Sequence, residues 1–376
     1  MPTRAQNLLI ALFLLAGGAA SAQATPLPWG QQSDMLAWET LAQIVATAGD
    51  PQNTNVEFET WASDQDIYTA SPQWPAVGAP KRLQASALGF ARHGMLPPAI
   101  APSDCKKDYD HEVAKAAGFP ADGCIGEEVR RNWASFQYIV TNHLYTKAGF
   151  AEAYQKGLKV GLPADAIEFK GDWVPVTDVM KWLNLTEQQV DDLYYVNTAT
   201  AGSVTTKFAL VSFHFSSKQV TDWVWADFEH ENNPGRCDDI GCHDDYGAVP
   251  PNVPPKSMLW QQYGECQKTP AALAIFNAAG ISKVWQHYCL KGSQTTFTTP
   301  TGEAILLGNT VIEAINASVP ILKSSCMTCH AYASFDKTGE ANIPALKGSY
   351  VGNVDPAKLQ GYASNDFIWG IVFAPQ

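Results

Sequence analysis

The chain has 376 residues, 46% of them hydrophobic and 16% charged, with 12 Trp and a net charge of −12. That composition supplies a sizeable core and excludes wholesale disorder, collagen and coiled-coil classes. An acidic chain without a Lys/Arg-rich run also excludes nucleic acid and anionic membrane surfaces as partners.

Residues 1–22 read as an address. Met1 to Arg4 is short and basic, Leu8 to Leu15 is an unbroken apolar run, and Ala20-Ser21-Ala22 supplies the small residues a signal peptidase accepts. The alternative is a short N-terminal membrane anchor. No later stretch approaches the roughly 18 apolar residues of a membrane span. The mature chain is therefore expected to be periplasmic or secreted, in a Gram-negative bacterium, with no membrane span after cleavage. An oxidising compartment makes disulfides the default reading of the eight cysteines.

Residues 34–48 place Met35, Trp38, Leu41 and Ile44 on one side of a helix. Pro and Gly are dense between 72 and 103, where irregular chain is expected. A long helix is predicted over 127–156 from the stripe Val129, Trp133, Phe136, Val140 and Leu144, with Glu127 and Glu128 in its first turn. From 166 to 230 the pattern changes to strands: Ala166 to Lys170, Trp173 to Val176, Lys207 to Phe215 and Trp223 to His230, the last two joined by a polar turn. Residues 231–256 are rich in Asn, Asp, Gly and Pro and are predicted to form a long ordered loop pinned by cysteines. Helical signal returns at 270–291 and 309–317.

Cys326-Met-Thr-Cys329-His330 is CxxCH, the attachment signature of c-type haem. Two cysteines three apart on a helical turn can reach the two vinyl groups of the porphyrin, and the adjacent His330 then lies under the iron as proximal ligand. A thioredoxin-like pair would need a βαβ context, and zinc a second, suitably spaced ligand pair. The sequence offers neither, so one haem c is expected on Cys326, Cys329 and His330.

No Met or His follows His330. Local donors to the other face of the iron reduce to Lys337, Lys347, Lys358, Tyr350 and Tyr362. A Met or His ligand must come from upstream, where Met95, Met180, Met258, His214 and His230 are the candidates. A filled position points to electron transfer, an open one to gas binding or peroxide chemistry. On strict alternation His214 shares a face with Phe208, Leu210 and Ser212, and His230 with Val224, Ala226 and Phe228. Each reads either as a distal ligand or as a hydrogen-bonded core histidine. Glu229 reads as a distal acid–base group or as a salt-bridged residue.

Cys237-Asp-Asp-Ile-Gly-Cys242-His243 has the wider CxxxxCH spacing. It allows a second haem or, more economically, a tight disulfide in an Asp-rich loop. Asp238, Asp239, Asp244 and Asp245 lack the spacing of an EF-hand loop for Ca²⁺. If Cys237 and Cys242 pair, Cys105–Cys124 and Cys266–Cys289 are the most local remaining pairs, each adding on the order of 3 kcal/mol on the chain-entropy model.

The runs Val211-Ser-Phe-His214, Trp223-Val-Trp225, Phe228-Glu-His230 and Asn233-Pro-Gly-Arg-Cys237 resemble a group of exported bacterial mono-haem c-type cytochromes. So do Gly308-Asn-Thr, Ser324 to Ala331 and the closing Asp366-Phe-Ile-Trp369. The resemblance covers most of residues 200–376 and, more weakly, the front half. It implies a cytochrome c-like haem unit, a proteobacterial periplasm and electron transfer.

Two function classes follow. One is an electron-transfer haemoprotein whose acidic surface docks a redox partner with a basic face. The other is a haem c peroxidase or oxygenase, with His214, Glu229, His230 or Trp225 on an open distal side. The expected architecture is α+β: a helical front, a central antiparallel sheet and a haem-bearing helical C-terminal part embedded in the larger fold. The expected divisions are 1–22, 23–300 and 301–376.

Overall fold

The computed structural model describes residues 30–48, 55–76, 110–120, 123–201, 203–256, 260–346 and 350–376. The predicted signal peptide, Met95, Cys105, Met258 and Lys347 lie outside the described residues. The fold is α+β, built on a seven-stranded sheet whose pairings are all antiparallel. Its strands are β1 (Ala62–Ser63), β2 (Gly126–Arg131), β3 (Ile167–Pro175), β4 (Val196–Ala201), β5 (Val204–Ser217), β6 (Val224–His230) and an edge strand, Tyr288–Gln294. The order is β1-β2-β3-β5-β6 and then the edge strand, with β4 continuing the β6 side of β5.

The two faces of this sheet differ chemically. One carries an aromatic core. Phe58 stacks on Phe169 at 4.0 Å, and Phe213 stacks on Phe228 at 5.1 Å. Helix α1 (Gln31–Ile44) covers this face, with Trp38 edge-on to Phe228 at 5.2 Å. Trp38, Leu41 and Ile44 are fully buried, as their three-residue spacing predicts. The other face is polar and equally buried: Asp172, Ser212, His214, Asp227 and Glu229 all lie inside the protein. Burying such groups is tolerable only where partners cover them. Segments of residues 305–376 supply that cover without adding a strand to the sheet.

Strict alternation fails along β5. Asp172 faces Ser212, but the next residue, Trp173, faces Leu210, leaving Val211 as an extra residue in a β-bulge. Phe208 and Leu210 therefore join the aromatic core, whereas Ser212 and His214 turn to the polar face.

The helix expected over 127–156 is instead a strand and two helices. Gly126–Arg131 is β2, Trp133–Thr141 and Lys147–Gln155 are helical, and His143 between them has φ 57°. Asn132 caps the first helix by accepting from the Ser135 N–H, which fixes its start after the charged run. Glu128 and Arg130, opposite charges two apart, alternate onto one side of β2 and pair there at 2.8 Å, both buried. Gly280, at φ 64°, likewise ends the helix Pro270–Ala279, and the chain then turns into the edge strand.

The loop 231–256 is pinned by a Cys237–Cys242 disulfide, and Cys266–Cys289 is a second bridge. Cys124 is disulfide-bonded too, its expected partner Cys105 lying outside the described residues. No helix among the described residues is long and apolar enough to cross a membrane.

Asp34 of α1 is buried. It accepts from the Asp245 N–H at 2.8 Å and from the Ser293 hydroxyl. Burial, and next the charge of Asp244, push its carboxyl up to about 8. Between the unfolded value near 3.9 and that value, the folded chain keeps a proton that the unfolded chain releases. This group's contribution to stability therefore falls as pH rises through that window. Asp34→Asn should make the decline in melting temperature from about pH 5 to pH 8 shallower by several degrees. A decline as steep as the wild type's would contradict this assignment.

Candidate functional site

The predicted haem-attachment segment is a six-residue helix, Cys326–Ala331. Ser325 caps it by accepting from the Thr328 N–H, and the Thr328 hydroxyl donates to the Gly352 carbonyl at 2.6 Å. Met327 is fully buried against Trp223, Trp225 and Ile368, anchoring the helix to β6. The Cys326 N–H donates to the Leu307 carbonyl, tying the helix start to the strand-like chain before Gly308.

Among the described residues the two cysteines outside disulfides are Cys326 and Cys329. Cys326 is buried, its Sγ 3.4 Å from Asp227 Oδ2, while Cys329 keeps part of its surface accessible. Burial pushes both thiols up, Cys329 to about 12. These sulfurs are held as S–H groups.

His330 is fixed from behind. Its Nδ1 lies 2.8 Å from the Phe367 carbonyl. A carbonyl only accepts, so Nδ1 carries the proton and Nε2 keeps its lone pair. Asp366 and Phe367 achieve this with consecutive left-handed backbones, φ 47° and 72°, each costing on the order of 1–3 kcal/mol. Asp366 is held there by the Leu162 N–H at 2.6 Å and Lys218 Nζ at 2.7 Å. The Trp369 indole donates to the Cys329 carbonyl at 3.1 Å, closing the bracket around the helix.

Across from this helix lies a polar row on three adjacent strands. Lys170 of β3 pairs with His214 of β5, and His214 with Asp227 of β6. The His330 ring centroid is 4.6 Å from that of Trp225 and 6.2 Å from that of His214, with ring planes at 85° in the second case. Burial, then the charges of Lys170 and His330, push His214 well below its ordinary value, so its ring is neutral. One ligand atom each of His214, Asp227, Glu313 and Cys326 falls within 4.8 Å of the others, the one such group of acidic, His and Cys residues among the described residues.

Hydrogen bonds from Asn309 position Asp227 and Glu313. Asn309 donates from Nδ2 to Asp227 Oδ1 at 2.8 Å, and its N–H donates to Glu313. Glu313 comes from a π-helix, Thr310–Asn316, a local geometry that often marks functional positions. Glu229 is engaged elsewhere. It accepts from Thr310 N–H and hydroxyl and from Lys291 Nζ at 3.2 Å, with both side chains of that ion pair fully buried.

Of the other sequence-predicted residues that are described, Tyr350 comes near this site and the rest do not. His230 lies at the end of β6 on the opposite sheet face, stacked at 3.5 Å on Tyr194, with Nε2 on the Leu193 carbonyl and Nδ1 on the Asn232 N–H. His243 spends both ring nitrogens, on Asn252 and the Ile240 carbonyl, beside the Cys237–Cys242 disulfide. With no thiol left, that CxxxxCH segment has no attachment point for a second haem. Asp244 accepts the Trp38 indole N–H and Asp238 the Tyr263 hydroxyl. Met180 packs in the cluster around Val176 and Val190, and Lys358 reaches the Ala345 carbonyl. Lys337 is exposed and Tyr362 half-buried. Tyr350 is near enough to Cys329 and Glu313 for their charges to raise it, after burial.

Asp227, Asn309, Glu313 and the Phe367 carbonyl were not singled out from the sequence. A signal existed for Asp227, an acid at i, i+2 from Glu229 within an otherwise apolar strand. None existed for a backbone carbonyl. A mostly apolar cavity of about 180 Å³ is lined by Thr310 and Ala314 of the π-helix together with Trp260, Asp238 and Leu322, and it contains none of the predicted haem residues. No protein-family model, no curated protein and no solved structure matches this chain.

Proposed function

We propose that the chain is an exported c-type cytochrome that carries one covalent haem on Cys326 and Cys329, with His330 as proximal ligand, and transfers electrons. The observation that carries this reading is the state of the three motif residues. Two cysteines outside any disulfide precede, within one helical turn, a histidine whose Nδ1 is spent on a backbone carbonyl, leaving the Nε2 lone pair for a metal ion. This combination fits haem c.

A bound haem c supplies a one-electron ferric/ferrous couple. The thiols would hold it by adding S–H across its two vinyl groups, a reaction that releases nothing. The Phe367 carbonyl fixes the tautomer and tilt of the His330 ring and raises its basicity as a ligand. Trp225, Met327 and Ile368 pack around the helix and limit water there, a protein lever on reduction potential. The net charge of −12 suits a redox partner with a basic docking face. Export to the haem-loading compartment agrees with the disulfides Cys237–Cys242 and Cys266–Cys289.

Electron transfer is favoured over a peroxidase or oxygenase because a histidine ring, His214, lies 6.2 Å from that of His330, whereas the candidate acid–base group Glu229 is locked in the Lys291 pair. Protein produced in a host that loads haem in its periplasm should show a ferrous c-type spectrum and take up one electron per chain reversibly in a redox titration. A colourless protein, or rapid peroxide turnover by the ferric protein, would contradict the proposal.

A further inference from the structure

We propose that His214 is the second axial ligand of the haem iron, facing His330 from the central strand β5. The inference rests on the haem reading above and names what completes that site. The first observation is the spacing. Two imidazoles on one metal ion each place a nitrogen about 2 Å from it, and the ring centre lies about 1.1 Å behind that nitrogen, which puts the centroids about 6.2 Å apart. The observed separation is 6.2 Å with ring planes at 85°.

The second observation separates a ligand from a packed core histidine. Buried polar atoms in folded proteins are almost always hydrogen-bonded. His214 is 7% exposed, and its Nδ1 is buried with no hydrogen-bond partner. His230, His243 and His287 are all satisfied, by Leu193 and Asn232, by Asn252 and Ile240, and by Glu231. Among these histidines of the fold, the one that faces the CxxCH helix is the one with a buried nitrogen left over.

The third is rigidity. β5 is paired on one edge with β3 and on the other with β6 at His214, so this ring is carried by an interior strand held on both edges. His330 is held by the Phe367 carbonyl on a separate segment. Two ligands on independently fixed elements are preorganised for one metal position. His230 does not compete, since it lies on the other sheet face.

The test uses the exported, haem-loaded protein with His214→Ala and His214→Met variants. The wild-type ferric haem should be low-spin, and its electron paramagnetic resonance should show the single large g value of near-perpendicular imidazole planes. His214→Ala should convert the ferric haem to high-spin and allow the ferrous haem to bind CO, and added imidazole should restore the low-spin spectrum. His214→Met, which keeps a side chain of similar bulk, should stay low-spin, gain a sulfur-to-iron band in the far red and move to a higher reduction potential. A low-spin His214→Ala protein without added imidazole would overturn the assignment. So would a five-coordinate wild type, or a His214→Met protein with unchanged spectrum and potential. Wild-type protein lacking covalent haem but retaining one equivalent of a transition metal would overturn the haem reading itself, and assign His214, Asp227, Glu313 and Cys326 to that ion instead.

Discussion

Lys291→Met should lower stability by about 3–5 kcal/mol, the range for removing one partner of a buried ion pair. Lys291 Nζ and Glu229 Oε1 are 3.2 Å apart, and neither side chain has any exposed surface. Glu229 is the hub that clamps Thr310, and with it the Gly308-Asn309-Thr310 turn, onto β6. Leaving its carboxylate without a cation inside the protein carries most of the cost, since a buried charge loses hydration and gains nothing in return. The melting temperature should drop by on the order of 10 °C. Lys291→Met combined with Glu229→Gln should recover part of that loss, because the uncompensated charge is gone and the amide oxygen can still accept from the Thr310 N–H. Equal melting temperatures for the single and double variants would show that the pair is not the source of the effect.

The second large effect is on haem attachment. Cys326→Ser with Cys329→Ser should abolish covalent haem altogether, and each single replacement should leave at most one thioether and a sharply reduced yield. His330→Ala should lose the normal low-spin spectrum while Cys237–Cys242 and Cys266–Cys289 remain intact, since those bridges lie outside the motif helix. Neither serine replacement should unfold the chain. Cys326 is buried beside Asp227 and Leu307, where a serine hydroxyl finds acceptors, so its replacement should leave the fold stable. Cys329 keeps accessible surface, and its replacement should be nearly silent in stability. A double variant that still carried covalent haem would move the attachment elsewhere in the chain.

Much of the architecture is legible along the chain because its signals are local. The strands β5 and β6 declare themselves through β-branched and aromatic residues, and α1 through the three-residue spacing of Trp38, Leu41 and Ile44. The CxxCH helix is read from five consecutive residues. What fails is what depends on partners far away. The run Glu127 to Arg131 resembles a helix start by charge, yet its side chains are spent on cross-strand partners such as Lys170 and Trp173. The face of His214 is misjudged because one extra residue at Val211 resets the alternation, and period-2 counting cannot see a bulge. Asp227 and Glu313 come from segments more than eighty residues apart and acquire meaning only when Asn309 bridges them. The left-handed backbone at Asp366 and Phe367 has no glycine to announce it.

One haem on Cys326 and Cys329, held through thioether bonds, underlies every functional expectation above. The most direct test is the intact mass of the acid-denatured protein, purified after export in a host that attaches haem. The predicted mass is that of the processed chain with its disulfides plus one haem, and the added mass should stay on a proteolytic peptide spanning the Cys326–His330 motif. A chain mass without haem, or haem that dissociates on denaturation, would contradict the account.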